Sequence, residues 1–376
     1  LSFYVFPLLA HVIVLYRRRR EPEKHWSEYN WLAAMAVAFS LLVFFAGSPY
    51  TILDWTDFRA SMSYENGVVL GTVPVPYTRQ FIGTASYWFQ LKNLLWQLGP
   101  VALFSYLGVI LLLARAARRR EAGLALLLSF PTLYFLYVGH WHTKFIRYMM
   151  PLIPFLLIAG AYCLWWMWEK LAARRRERIG RTVAGGMVVV TALWGLAFFA
   201  IYFQEQTRLA ASRWIYRNVP AGSKIWGEHW DDGLPVPVPD VETRPYDIQQ
   251  LEIYNEDNAA KLEYYADRLS RGDYIVLNSR RLYGTLMHQP DDYPLTSLYY
   301  KLLFSGELGY EKVAQFTAYP LLLGFIPIND DASEETFQVY DHPKVLVFQN
   351  KGRLSSAEIR ERLQRALREA GRQLKP

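Results

Sequence analysis

Up to Phe203 the chain alternates long apolar runs with short basic clusters, and after Gln204 it reads as ordinary soluble protein. A helix that crosses a bilayer needs about 20 mostly apolar residues. Six runs approach that length: Leu1–Tyr16, Trp31–Ala46, Leu94–Ala114, Ala122–Val138, Met150–Trp168 and Thr182–Phe203. Pro100, Pro131 and Pro154 lie inside these runs or near their ends, where the helices of a packed bundle tolerate them. The pattern predicts a membrane α-helical bundle of about six spans followed by a small soluble α/β domain. The boundary falls between 203 and 204, so residues 1–203 form the membrane region, with a large loop at 47–93, and residues 204–376 form the soluble domain.

The soluble part alternates helical and strand-like periods. "TRLAASRWIYRNVPAG" carries apolar residues at helical spacing and stops at Pro220 and Gly222. "KIWGEHW", "DYIVLNS", "EKVAQFTAY" and "KVLVFQN" read as strands. "NAAKLEYYADRLSRG" reads as a helix with Asn258 as cap and Gly272 as stop, and "YPLTSLYYKLLFSG" as another. The final helix opens with Ser355 and Glu358 in capping-box spacing. In the 47–93 loop, "SMSYENG" has the character of a short interfacial helix.

Composition sharpens this picture. The chain has 376 residues, 52% hydrophobic and 20% charged, with mean hydropathy +0.02 and net charge +7. The basic residues gather at Arg17–Arg20, Arg115–Arg120 and Lys170–Arg181, each beside an apolar run. That is the distribution of cytoplasmic loops rather than of a nucleic-acid surface. All three clusters then share one face. The 47–93 loop, the short segment 139–147 and everything after Gln204 lie on the other, extracytoplasmic face. The single cysteine, Cys163, excludes an internal disulfide and a cysteine metal cluster. The chain opens at Leu1 directly in an apolar run, which reads as a start inside a helix of a longer protein.

Three groups of residues are candidates for chemistry. "GHWHTKFIRYMMPLIPF" places His140, His142, Lys144 and Arg147 at the outer interface. Interfacial anchoring by snorkelling side chains accounts for them. So does an anion site for a lipid-linked phosphate, with Arg147 offering a planar donor fork and Lys144 a point charge. In a helix these two would share a face. The second group is Asp54, Asp57 and Glu65 with Arg59 and Arg79 in the large loop. These carboxylates bind sugar hydroxyls or act as a base, or else pair with the arginines and solvate the loop. The third is "GEHWDDG", with Glu228, His229, Asp231 and Asp232, read as a hard-cation site or as a solvated turn after a strand. No metal ligand set or cofactor is indicated, although a divalent metal is compatible with the carboxylates.

"KFIRYMMPLIPFLLIAGA" resembles the Arg-Tyr-x-x-Pro-x-x-Pro stretch of GT-C membrane glycosyltransferases, the protein O-mannosyltransferase and aminoarabinose-transferase-like enzymes. The matching positions are Arg147, Tyr148, Pro151 and Pro154. "GSPYTILDW" and "VPYTRQFIGTASYWFQLKNLLWQLGP" resemble the large outer loop of bacterial members. Trp230, Asp231 and Gly233 resemble the Trp-Trp-Asp-Tyr-Gly acceptor motif of oligosaccharyltransferases, with departures at His229 and Asp232. The resemblance implies transfer of a sugar from a polyprenyl-phosphate donor to a glycan, lipid or protein acceptor outside the membrane. It also implies a catalytic acid in a first outer loop to which no segment of this chain corresponds. A transporter and a non-enzymatic membrane protein with an outward binding domain are the rival readings. The transporter would require polar groups at mid-bilayer and broken helices.

Overall fold

The computed structural model describes residues 26–73, 75–229 and 233–375. The run Leu1–Tyr16, the Arg17–Arg20 cluster, and Trp230, Asp231 and Asp232 lie outside the described residues. The chain divides into two compact units. The first comprises the described part of Leu1–Pro74 together with Gly83–Thr191, and the second comprises Val75–Ile82 with Ala192–Pro376. The sequence boundary at 203/204 is thus drawn at 191/192 by the packing, and eight residues from the large loop belong to the second unit.

The first unit is helical. Its elements are α1 (Trp26–Gly47), the single turn α2 (Tyr50–Leu53), α3 (Trp55–Leu70), α4 (Trp88–Leu98), α5 (Ala102–Arg119), α6 (Ala122–Val138), a 3₁₀ helix (Ile146–Leu152), α7 (Ile153–Ala173) and most of α8 (Glu177–Phe199). Three helical stretches are long and apolar enough to cross a membrane: Trp88–Arg119, Ile146–Ala173 and Glu177–Asn218. Ala34–Gly47 and Ala122–Val138 are apolar but shorter. Exposed Phe39, Leu42 and Phe45 on α1, and Val188, Leu196 and Phe199 on α8, present apolar surface that water would penalise.

Helices α5 and α7 make the closest approach in this unit. A Cβ at Gly108 would lie 1.9 Å from the Ala159 carbonyl oxygen, and one at Gly160 would lie 2.8 Å from Ser105 Oγ. Without a hydrophobic driving force in lipid, small residues that let backbones touch are what hold two helices together.

The large loop is not a loop over most of its length. Asp54 caps α3 by accepting from the Asp57 backbone at 3.4 Å, and Gly71, at φ 80°, ends it in the left-handed conformation. The "SMSYENG" segment is therefore the middle of a 16-residue helix rather than a short one. The helical run that includes the third predicted span also starts earlier than expected, at Trp88.

The second unit is a layered α/β fold. Its elements are α9 (Thr207–Asn218), β1 (Lys224–Glu228), β2 (Asp247–Leu251), α10 (Ala259–Arg271), β3 (Tyr274–Leu277), α11 (Arg281–Leu286), α12 (Pro294–Ser305), β4 (Tyr310–Phe316), the small hairpin β5–β6 (Leu321–Leu322, Ile326–Pro327), β7 (Val345–Asn350) and α13 (Ser356–Glu369). The main sheet has the order β2-β1-β3-β7-β4, with β2, β1 and β3 parallel and β7 antiparallel to both β3 and β4. Strand side chains alternate between two cores. Trp226, Ile275, Leu277, Leu346 and Phe348 pack with α10, α12 and α13 residues such as Leu262, Tyr299 and Leu363. Ile225, Tyr274, Val276, Val345 and Val347 pack with Ala211, Ile215 and Val219 from the α9 side. The Asn258 cap and the Ser355–Glu358 capping box form as expected. Beneath α10, the buried Lys261 ammonium donates to Asp257, Thr296 and the carbonyls of Ile253 and Asn255, so its charge is both paired and fully hydrogen-bonded.

Candidate functional site

The segment from Gly139 to Phe145 joins α6 to the 3₁₀ helix. Its backbone is tied down on several sides. Thr143, fully buried, donates through its amide to the Val69 carbonyl at 3.1 Å and through its hydroxyl to the Val68 carbonyl at 3.0 Å. That anchors it to the end of α3. The His142 ring fills the space beside Gly71, where a Cβ would come within 2.6 Å of it. On α4, Gln90, Asn93 and Gln97 are spaced along one side of the helix. Asn93 donates to the Lys144 carbonyl and to Gln90 Oε1, both at 2.9 Å, and Gln97 donates to the Ile146 carbonyl at 2.7 Å.

The two cations named from the sequence have separate settings. Lys144 is 2% exposed and donates to the His142 carbonyl at 2.9 Å. Burial pushes its ammonium below the ordinary lysine value. Phe145, extended at ψ 136°, separates it from the 3₁₀ helix. The expectation that Lys144 and Arg147 share a helix face is therefore corrected: the first lies in a buried loop and the second on the opening turn of a helix. Arg147 is exposed. Its guanidinium sits 4.3 Å from the Phe145 ring centroid and 5.6 Å from that of Tyr148. Such cation–π contact orients a guanidinium while leaving its hydrogens available. Among the described residues, no carboxylate pairs with Arg147. His140 is exposed, and His142 is half-buried.

The acidic group in the large loop is not drawn together. Asp54 is the cap of α3, Asp57 lies in its first turn, and Glu65 lies two turns further along, all exposed. Arg79 belongs to the second unit. It pairs with Asp292 at 2.8 Å and lies over the Tyr293 ring at 5.5 Å, so it is a tether and not a partner of those acids.

Of the third group, Trp230, Asp231 and Asp232 lie outside the described residues. Glu228 ends β1, 2% exposed, and accepts from Tyr300 at 2.5 Å. His229 Nδ1 is 3.0 Å from Gln250 Oε1. Buried Asn278 and Ser279 directly follow the neighbouring strand β3. These residues lie at the carboxyl ends of the parallel neighbours β1 and β3, the end at which open α/β sheets place their ligands. In the sequence, only the residues at the end of β1 stood out. Among the described residues, no group of three His, Cys, Asp or Glu side chains is placed to hold a metal ion.

The residues missed from the sequence are Gln90, Asn93, Gln97 and Thr143. Amides inside an otherwise apolar helical stretch were the available signal, because such groups are retained near lipid only with partners. Comparison of the sequence with protein-family profiles, with curated proteins and with solved structures finds no match.

Proposed function

We propose that this chain belongs to a membrane sugar transferase, and that Arg147 holds the phosphate of a polyprenyl-phosphate-linked sugar at the extracytoplasmic face of the bilayer. The observation that carries the reading is the state of Arg147. Its guanidinium is exposed, braced by Phe145 and Tyr148, unpaired by any described carboxylate, and placed at the start of the apolar stretch Ile146–Ala173. A phosphate monoester or diester at the membrane surface matches the planar fork of an arginine. The tail of such a donor lies in lipid while its headgroup reaches the interface. In this reading the protein is multi-pass, with the basic clusters Arg115–Arg120 and Lys170–Arg181 cytoplasmic and the second unit outside. The acceptor is a glycan, lipid or protein delivered from that outer side.

The reading narrows the earlier residue set. Lys144 serves the backbone, and the histidines flank the site. Binding of a polyprenyl phosphate to the protein in lipid nanodiscs tests it. Arg147→Ala removes a charge-assisted hydrogen bond worth about 1.5–3 kcal/mol, so affinity falls about ten- to a hundredfold. Arg147→Lys keeps the charge without the fork and falls between. If Arg147 were only an interfacial anchor, the lysine variant would bind like the parent and the alanine variant would bind normally once inserted.

A further inference from the structure

Four carbonyls at alternate positions in the segment before and under Arg147 are each held by a side chain. The His142 carbonyl takes Lys144 Nζ, that of Lys144 takes Asn93, that of Ile146 takes Gln97, and that of Tyr148 takes Tyr134. The last has a chemical reason. In a 3₁₀ helix the Tyr148 carbonyl would accept from the residue three positions on, but that residue is Pro151, which has no N–H. The Tyr134 hydroxyl, at 2.8 Å, supplies the missing donor from α6. Asn93 and Gln97 come from α4, so two helices grip one short strand of backbone. Asn93 uses both amide hydrogens, on Gln90 and on Lys144.

We infer that Asn93, Gln97 and Tyr134 are positioning residues that fix the backbone carrying Arg147, so that its guanidinium meets a phosphate without first being ordered. The inference rests on the phosphate reading for its consequence, but not for its geometry. A loop held this way costs little further ordering on binding, which is where preorganised sites gain affinity. The Asn93 contact is buried, so water does not compete for the Lys144 carbonyl.

A nitroxide label at Arg147→Cys reads the positioning directly. Cys163 is buried and is replaced by alanine to leave one labelled site. In Asn93→Leu, Gln97→Met and Tyr134→Phe backgrounds the spectrum at 147 shifts to faster motion, while a label at exposed Leu107 on α5 does not change. Tyr134→Phe removes one oxygen and keeps the ring, so it remains informative where an amide variant fails to fold. A label at 147 as ordered as in the parent in all three backgrounds overturns the inference. The second measurement keeps Arg147 and follows polyprenyl phosphate affinity, which falls about three- to tenfold in each variant. A faster label combined with unchanged affinity in Arg147→Ala leaves the positioning intact and removes the phosphate role.

Discussion

Asp331 and Lys344, in the second unit, show how much a single contact sets. Burial pushes the Asp331 carboxyl up, but hydrogen bonds from Lys344 and Tyr319 outweigh it and hold the group below the ordinary aspartate value. A depressed carboxyl contributes stability that is present above its unfolded value of about 3.9 and is lost as pH falls through the folded value. Lys344→Met should therefore cost about 1 kcal/mol or less at pH near 6, since the pair is partly exposed. The gap should close on acidification, as measured by denaturant unfolding of the whole protein at several pH values. An equal gap at acid and neutral pH would assign the cost to lost packing instead. Residues of this kind are poorly legible beforehand. Lys144 and Arg147 looked alike because both are cations three positions apart. What separates them is the extended Phe145 between them, and a change of backbone region at one residue leaves no mark in composition or spacing.

The elements were more legible, because periodicity and end signals repeat over many residues. α9, α10, α12 and α13 coincide with their predicted segments, and β1, β3 and β7 with theirs. β2 escaped because "DIQQL" is an edge strand with four of its five positions less than fully buried, so it carries no apolar run. α3 was read as shorter than it is because its apolar residues make no clear stripe; its ends are set by the Asp54 cap and by Gly71. Packing between elements was the least visible. Gly108 reads as one glycine in an apolar run, yet it is where α5 meets α7. A side chain there would collide with the Ala159 carbonyl, and backbone cannot swing aside as a side chain can. Gly108→Val should destabilise the protein by about 1–3 kcal/mol. The check is thermal unfolding in detergent, with Gly123→Val on α6, where a Cβ meets nothing within 4 Å, as the control. Equal loss in both would locate the cost in helix propensity instead.

At the scale of the molecule, the proposed orientation makes a test that needs no ligand. Ser63 on α3 and Thr243 in the second unit are both exposed, and both are expected outside. Single cysteines there, with Cys163 replaced, should react with an impermeant maleimide in intact cells. A cysteine at exposed Arg119, at the end of α5, should react only after lysis. Labelling of position 243 only after lysis would reverse the orientation and move the Arg147 site to the cytoplasmic face. This scale was legible as apolar runs, three of which fall in helical stretches long enough to cross a membrane. It was not legible as a division into units, because nothing in the composition of Val75–Ile82 announces where it packs.

That eight-residue segment has a consequence for how the protein is made. Phe81 is 1% exposed and Thr78 2%, and Arg79 is bound to Asp292, all within the second unit. The ribosome delivers Val75–Ile82 more than a hundred residues before Ala192, where the rest of that unit begins. A newly made chain therefore carries Phe81 and Arg79 without their final neighbours through the synthesis of α4 to α7 and most of α8. In the proposed orientation, the second unit completes its packing only once Val75–Ile82 and the chain after Ala192 have reached the same face.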